Sequence, residues 1–305
     1  MYPSIQPHRK EMLHVDTLPN GKKVELYVEC SGNKEGIPII YLHGGPGDHI
    51  SPGHRRWYDP KAYHIILWDQ RGAGQSKPSN HIERNTSKLL IRDMEKIRIH
   101  MGVDKWIVAG GSWGSSLALM YAQEHPNRVL AMILRGIYDL SQEDVLDSMY
   151  PEEKDKVHRL LNIKSDRQEQ TKMNKVLSKK TRKRRQLIHL MTNEEPMFVI
   201  TPPKRLGYKE TETMTIIGNH YDSNHYFVPK DTIYKNMHKI KHIPTIMVEG
   251  RYDMVTPMKI AYKLSKMMDH CKLVVVRAGH TAGEKNILKE LVKASDFFKR
   301  LYRNV

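Results

Sequence analysis

The sequence predicts an α/β fold: a mostly parallel sheet flanked by helices, interrupted by an inserted, mainly helical lobe. Three observations predict it. Short apolar runs alternate with helix-period segments over residues 1–139, the same order returns over 240–305, and between them, over 140–239, the strands vanish and charge rises. The expected organisation is therefore a core in two parts, 1–139 and 240–305, with a helical cap of 140–239 between them.

The elements follow in order. Glu11 to Asp16 and Lys23 to Cys30 read as an antiparallel pair joined by the turn Leu18-Pro19-Asn20-Gly21. Ile37 to His43 and Tyr63 to Asp69 are near-continuous apolar runs, as expected of strands buried on both faces. Each ends in a glycine-bearing turn, Gly44-Gly45-Pro46-Gly47 and Gln70 to Gly74. From Thr86 to Met101, Leu89, Leu90, Met94, Ile97 and Met101 keep helical spacing, with Asn85 or Thr86 as cap and Gly102 as stop. Lys105 to Ala109 is a strand, Trp113 to His125 a helix closed by Pro126, and Val129 to Leu134 a strand. After the cap come a strand (Pro244 to Glu249), a helix (Met258 to Met268), a strand (Leu273 to Arg277) and a helix (Gly283 to Leu301).

Composition narrows the class. The chain has 305 residues, 39% of them hydrophobic and 28% charged. That suits one large domain or a core with an inserted lobe. No stretch approaches the roughly 20 apolar residues of a membrane helix. The first residues lack the apolar segment of a secretory signal, and the expected location is cytoplasmic. Cys30 and Cys271 are the only cysteines, too few for a disulfide framework, and they read as reduced buried thiols. No metal-ligand spacing and no phosphate-binding glycine pattern is present, so neither metal nor cofactor is expected. The formal charge of +16 favours anionic partners, although salt screens it beyond about 8 Å.

One constellation carries chemistry. Gly110-Gly111-Ser112-Trp113-Gly114 fits G-x-S-x-G and lies between a predicted strand and a predicted helix. A serine hydroxyl becomes a nucleophile only when exposed on a sharp turn and paired with a base. The expected chain order is serine, acid, histidine. Asp253 and His280 satisfy it, each just past the carboxyl end of a predicted strand. Ser112 is thus the expected nucleophile, His280 its base and Asp253 the acid that orients the base. The oxyanion hole is expected from the backbone N–H groups of Trp113 and Gly45. His43 is expected to brace its loop, and Asp69 to tie down its own by hydrogen bonds and pairing with Arg71. These features define an α/β-hydrolase fold.

Further segments are specific to one group. They are HGGPG at His43 to Gly47, WDQRGAGQS at Trp68 to Ser76, and NTSKLLIRDMEKIR at Asn85 to Arg98. GGSWGSSLALMYAQEHPNRV at Gly110 to Val129, LRGIY at Leu134 to Tyr138, NHYF at Asn224 to Phe227, GRYDMVTP at Gly250 to Pro257 and AGH at Ala278 to His280 complete them. Together they resemble the proline iminopeptidases, serine aminopeptidases of the α/β-hydrolase fold. The resemblance implies the same roles for Ser112, Asp253, His280, Gly45 and Trp113, a helical cap over the pocket, and release of an N-terminal residue, usually proline. It also exposes a departure. The family usually places before Asn-His-Tyr-Phe a glutamate that holds the substrate ammonium; here the residue is Ser223. A second family glutamate lies upstream beside a tryptophan; Glu194 and Glu195 stand in that region without one.

Two other readings stay open at this point. The same triad, lacking the glutamate at Ser223, suits an esterase or amidase acting on neutral or acidic acyl compounds. The basic run Lys175, Lys179, Lys180, Arg182, Lys183, Arg184 and Arg185 suits phosphate contacts with nucleic acid or an anionic surface. No aromatic residue is interleaved there, so a solvated cap helix is the preferred reading of that run.

Overall fold

The computed structural model describes residues 1–140, 151–165, 168–192 and 207–303. Its centre is one eight-stranded sheet. In chain order the strands are β1 (Arg9–Thr17), β2 (Lys23–Gly32), β3 (Ile37–Leu42), β4 (Tyr63–Trp68), β5 (Trp106–Ser112), β6 (Val129–Ile137), β7 (Thr245–Gly250) and β8 (Cys271–Val276). Across the sheet they lie β1-β2-β4-β3-β5-β6-β7-β8. β1 pairs antiparallel with β2, and β2 with β4; all later neighbours are parallel.

The apolar runs are continuous because each strand feeds two cores. Ile40, Leu42, Ile66, Trp68, Val108, Met132 and Met247 face one of them. Their chain neighbours Ile39, Tyr41, Ile65, Leu67, Ile107, Ala131 and Ile246 face the other. A period of two on a sheet covered on both sides makes both faces of these strands predominantly apolar.

Helices cover the first side: α1 (Ser87–His100), α2 (Trp113–Glu124) and α8 (Met258–Ser265). The Thr86 hydroxyl caps α1, accepting the Leu89 N–H at 3.4 Å. On the second side lies α9 (Lys285–Leu301), which buries Ile287, Leu291, Ala294 and Phe298 at spacings of four, three and four. Burying each large member of that stripe contributes about 1.5–3 kcal/mol.

Between β6 and β7 the described elements are helical: α3 (Pro151–Leu161), α4 (Glu169–Leu177), α5 (Arg182–Thr192), α6 (Tyr208–Ser223) and α7 (Thr232–Asn236). Val157, Leu161, Met173, Leu177, Leu187 and Ile216 give this lobe a small core of its own. α6 ties it to the sheet. The Tyr221 hydroxyl donates to Asn85 Oδ1 at 2.8 Å, and Ile217 packs against the loops that carry Gly47 and Gly72. The lobe therefore rests on the loops at the carboxyl ends of β3 and β4.

Candidate active site

Strand β5 ends at Ser112 and helix α2 begins at Trp113, with no residue between them. The turn forces Ser112 to φ 55°, ψ −128°, a conformation that costs a non-glycine residue about 1–3 kcal/mol. The flanking glycines permit the sharpness. A Cβ on Gly110 would lie 2.3 Å from Gly114 O, and one on Gly114 would lie 2.1 Å from Leu42 O. The serine side chain is pushed out of the sheet plane at the amino end of a helix, where the backbone dipole favours negative charge.

The structure brings the three predicted residues together. Ser112 Oγ lies 3.1 Å from His280 Nε2, and His280 Nδ1 lies 2.7 Å from Asp253 Oδ2. Proton positions follow from the network: the hydroxyl donates to Nε2, and Nδ1–H donates to the carboxylate. Asp253 sits in the turn after β7 and His280 in the turn after β8. Asp253 also accepts the Val255 and Thr256 N–H groups at 2.9 and 2.8 Å and the Thr256 hydroxyl at 2.9 Å. Burial alone would raise its pKa. The interaction with His280 and these hydrogen bonds outweigh burial and lower it to about 2.

The glycine loop after β3 presses on Ser112. A Cβ on Gly44 would lie 3.3 Å from Ser112 Cβ and 3.9 Å from its Oγ. Gly45 follows at φ 105°, and among the described residues no acceptor takes its N–H. His43 braces the loop. Its Nδ1–H donates to Gly44 O at 3.0 Å, while Nε2 accepts the Gln70 N–H at 3.0 Å. Full burial lowers its pKa and keeps it neutral, as that pattern requires. Gln70 extends the brace: Nε2–H donates to His43 O at 2.9 Å, and Oε1 accepts the Trp113 indole N–H at 2.8 Å.

Two expectations need correction. Asp69 ties down its loop, accepting the Ile50 and Gln75 N–H groups at 2.8 Å each, but it does not pair with Arg71. The Arg71 guanidinium turns the other way, to Asp93 at 2.5 and 2.8 Å and Asp16 at 3.0 Å. Backbone donors already fill both Asp69 oxygens, and the ion pair forms where two carboxylates converge. Cys30 is buried, but Cys271 is only half-buried, on the edge strand β8.

This geometry meets its relatives in sequence. The α/β-hydrolase fold family model matches residues 37–286. A proline iminopeptidase of Neisseria meningitidis serogroup B is 36% identical, over 96% of this chain and 97% of its own. One of Arabidopsis thaliana is 35% identical, over 99% of this chain and 82% of its own. The chain belongs to the proline iminopeptidase family. Solved structures extend the fold more widely: a thermophilic esterase from Thermogutta terrifontis superposes with a TM-score of 0.59 at 17% identity, over 97% of this chain and 98% of that one.

The departure from the proline iminopeptidase pattern lies in the lobe. Ser223 ends α6, and its hydroxyl donates to Gln170 Oε1 at 2.5 Å and contacts Asn174 at 3.3 Å. Its partners are neutral amides. Glu194 and Glu195 lie outside the described residues. One residue before Ser223 stands a carboxylate that the sequence did not single out. Asp222 is 8% exposed, accepts a hydrogen bond from Gln170 Nε2, and its charge bears on the Tyr138 and Tyr226 hydroxyls. Those two hydroxyls bond at 3.1 Å, and the Tyr226 ring stacks on Trp113 at 5.6 Å. Tyr226 thus links the Tyr138 hydroxyl to Trp113, the residue after Ser112. The position of Asp222, an acid in the last turn of α6 where the dipole disfavours it, shows only in the structure.

Of the basic run, Lys175, Lys179, Lys180, Arg182, Lys183 and Arg185 are exposed. It is not one helix but the end of α4, a turn and the start of α5. Arg184 departs from it, pairing with Glu212 at 2.7 Å. Among the described residues there is no metal-binding cluster of His, Cys, Asp and Glu, and no helix long and apolar enough to cross a membrane.

Proposed function

We propose that the protein releases the N-terminal residue of short peptides, proline preferred, through an acyl-enzyme on Ser112. One observation carries this reading: the unbroken relay from Ser112 through His280 to Asp253, at 3.1 and 2.7 Å. His280 takes the serine proton as Oγ attacks the carbonyl of the first residue. It then gives the proton to the leaving amine. The Trp113 and Gly45 N–H groups hold the oxyanion. Water completes the cycle by the same route in reverse. Residues 140–239 act as the cap that limits the substrate to a short N-terminal segment.

The substrate ammonium needs a carboxylate, and Ser223 offers only a hydroxyl. In this reading Asp222 supplies the charge. Its burial strengthens a contact with a cation relative to one in water. Glu194 and Glu195 are then not required. Both cysteines are free thiols, as a reducing compartment keeps them, and the proposed location is the cytoplasm.

The test is a panel of prolyl-arylamide, its N-acetylated counterpart and a p-nitrophenyl ester. Wild type should cleave the free-amino amide best. Asp222→Asn should raise KM for it roughly ten- to a hundredfold and leave the ester within about twofold. Equal cleavage of the blocked and free amides would instead mark an esterase or amidase.

A further inference from the structure

The catalytic acid has a neighbour that the reaction scheme does not use. Glu249 is the penultimate residue of β7, four residues before Asp253, and its side chain is fully buried. Its Oε2 accepts the Ile137 N–H at 2.9 Å, and its Oε1 accepts the Gly250 N–H at 3.2 Å. The turn that follows is closed by the Asp253 N–H on Gly250 O at 3.3 Å, which sets the two carboxyl groups close enough for the charge of Asp253 to act on Glu249.

Two carboxyl groups can share a hydrogen bond only if one of them holds a proton. Asp253 already accepts from Val255, Thr256 and His280. Four donors converge there, and they favour the ionised form. Glu249 has only the Ile137 and Gly250 N–H groups, which burial and the charge of Asp253 outweigh. The cation on the adjacent strand, Arg135 of β6, commits its Nη1–H to the His280 carbonyl at 2.6 Å. Glu284, ahead of α9, accepts the Gly279 N–H at 2.8 Å. The balance of donors therefore favours the proton on Glu249 over Asp253.

We propose that Glu249 is a positioning residue: it stays neutral through the catalytic cycle and donates a hydrogen bond that fixes the Asp253 carboxylate against the His280 imidazole. The proposal rests on the relay assigned to Ser112, His280 and Asp253. Burial first, and the negative charge of Asp253 second, raise the Glu249 pKa from 4.5 to about 9. Above that range the O–H is lost, and two anions face each other behind the imidazole. Folded Glu249 keeps a proton that the unfolded chain releases above 4.5. Stability therefore falls with pH between those two values.

The experiment is a kcat/KM profile from neutral to alkaline pH for wild type, Glu249→Gln and Glu249→Leu. Wild type should lose activity through an alkaline limb near pH 9. Glu249→Gln keeps an N–H donor and has nothing to titrate. It should stay within about threefold of wild type at neutral pH and lack that limb. Its thermal stability should also lose the downward slope. Glu249→Leu should lower kcat roughly tenfold or more with KM unchanged. Infrared spectra of wild type labelled with 13C-glutamate give a second readout, a protonated carboxylic acid at neutral pH that disappears near pH 9. The same alkaline limb in Glu249→Gln, a wild type with no such limb, full activity in Glu249→Leu, or no protonated acid in the spectrum would each overturn the proposal. Fluorophosphonate labelling at neutral pH separates the two levels: a wild type unlabelled at Ser112 would mean that the relay itself is wrong.

Discussion

Asp253→Asn should lower kcat on the order of 10⁴-fold while the fold survives. The carboxamide is nearly isosteric, and its oxygen can still accept the Val255 and Thr256 N–H groups that now reach Oδ1 at 2.9 and 2.8 Å. The side facing His280 changes. An NH₂ group there would meet the imidazole at a 2.7 Å contact, and two donors cannot share it. The imidazole would adopt the other tautomer, and its Nε2 would then carry a proton in place of the lone pair that Ser112 needs. The imidazolium of the transition state would also lose its counter-ion. Steady-state kinetics on a prolyl-arylamide, with circular dichroism to confirm the fold, would measure this. Activity within tenfold of wild type would mean that Asp253 does not orient the base.

Arg71→Leu should cost about 3–5 kcal/mol of stability without touching the chemistry. The guanidinium is 1% exposed and so is Asp93, which it grips through two bonds. Its Nη1 also donates to Asp16 at 3.0 Å and to Arg84 O at 2.7 Å. One side chain therefore joins β1, the turn after β4 and α1. Removing it strands a buried carboxylate, and that uncompensated charge dominates the loss. For a chain of 305 residues the melting temperature should drop by roughly 5–8 °C. Arg71→Leu combined with Asp93→Leu should recover part of the loss, because no unpaired charge remains. The pH dependence has a definite sign. Burial opposes ionisation of Asp16, but hydrogen bonds from Arg84 and Arg71 outweigh it and hold its pKa far below 3.8. Its pairing thus stabilises the fold at neutral pH and is lost only in strong acid, well below that value. A calorimetric scan at neutral pH would decide the matter; an unchanged melting temperature would contradict it.

The parts of this molecule that were legible in the sequence are those set by local rules. Runs such as IPIIYL and YHIILW announce strands buried on two faces, because neither side of the sheet is left to water. The convergence of Ser112, Asp253 and His280 was legible because a G-x-S-x-G turn joins strand to helix, and the expected partners of such a serine lie past strand ends in a fixed order. The partner of Arg71 was not legible. Asp93 lies one and a half turns into α1 and looks, in sequence, like any polar position on an amphipathic helix. Glu249 was hidden differently. At the end of an apolar strand it reads as the residue that meets solvent, whereas the turn that follows folds back and buries it. Asp222 was masked by its neighbour, since the family pattern directs attention to Ser223. Each of these three depends on a contact made by a distant segment or by a turn whose path the sequence does not dictate.

All of the chemistry rests on Ser112 being made nucleophilic by His280. Intact-mass and peptide mapping after reaction with a fluorophosphonate test this most directly. A single adduct should form on Ser112, fail to form in Ser112→Ala, and form far more slowly in His280→Ala. An adduct on another residue, or none on well-folded wild type, would contradict it.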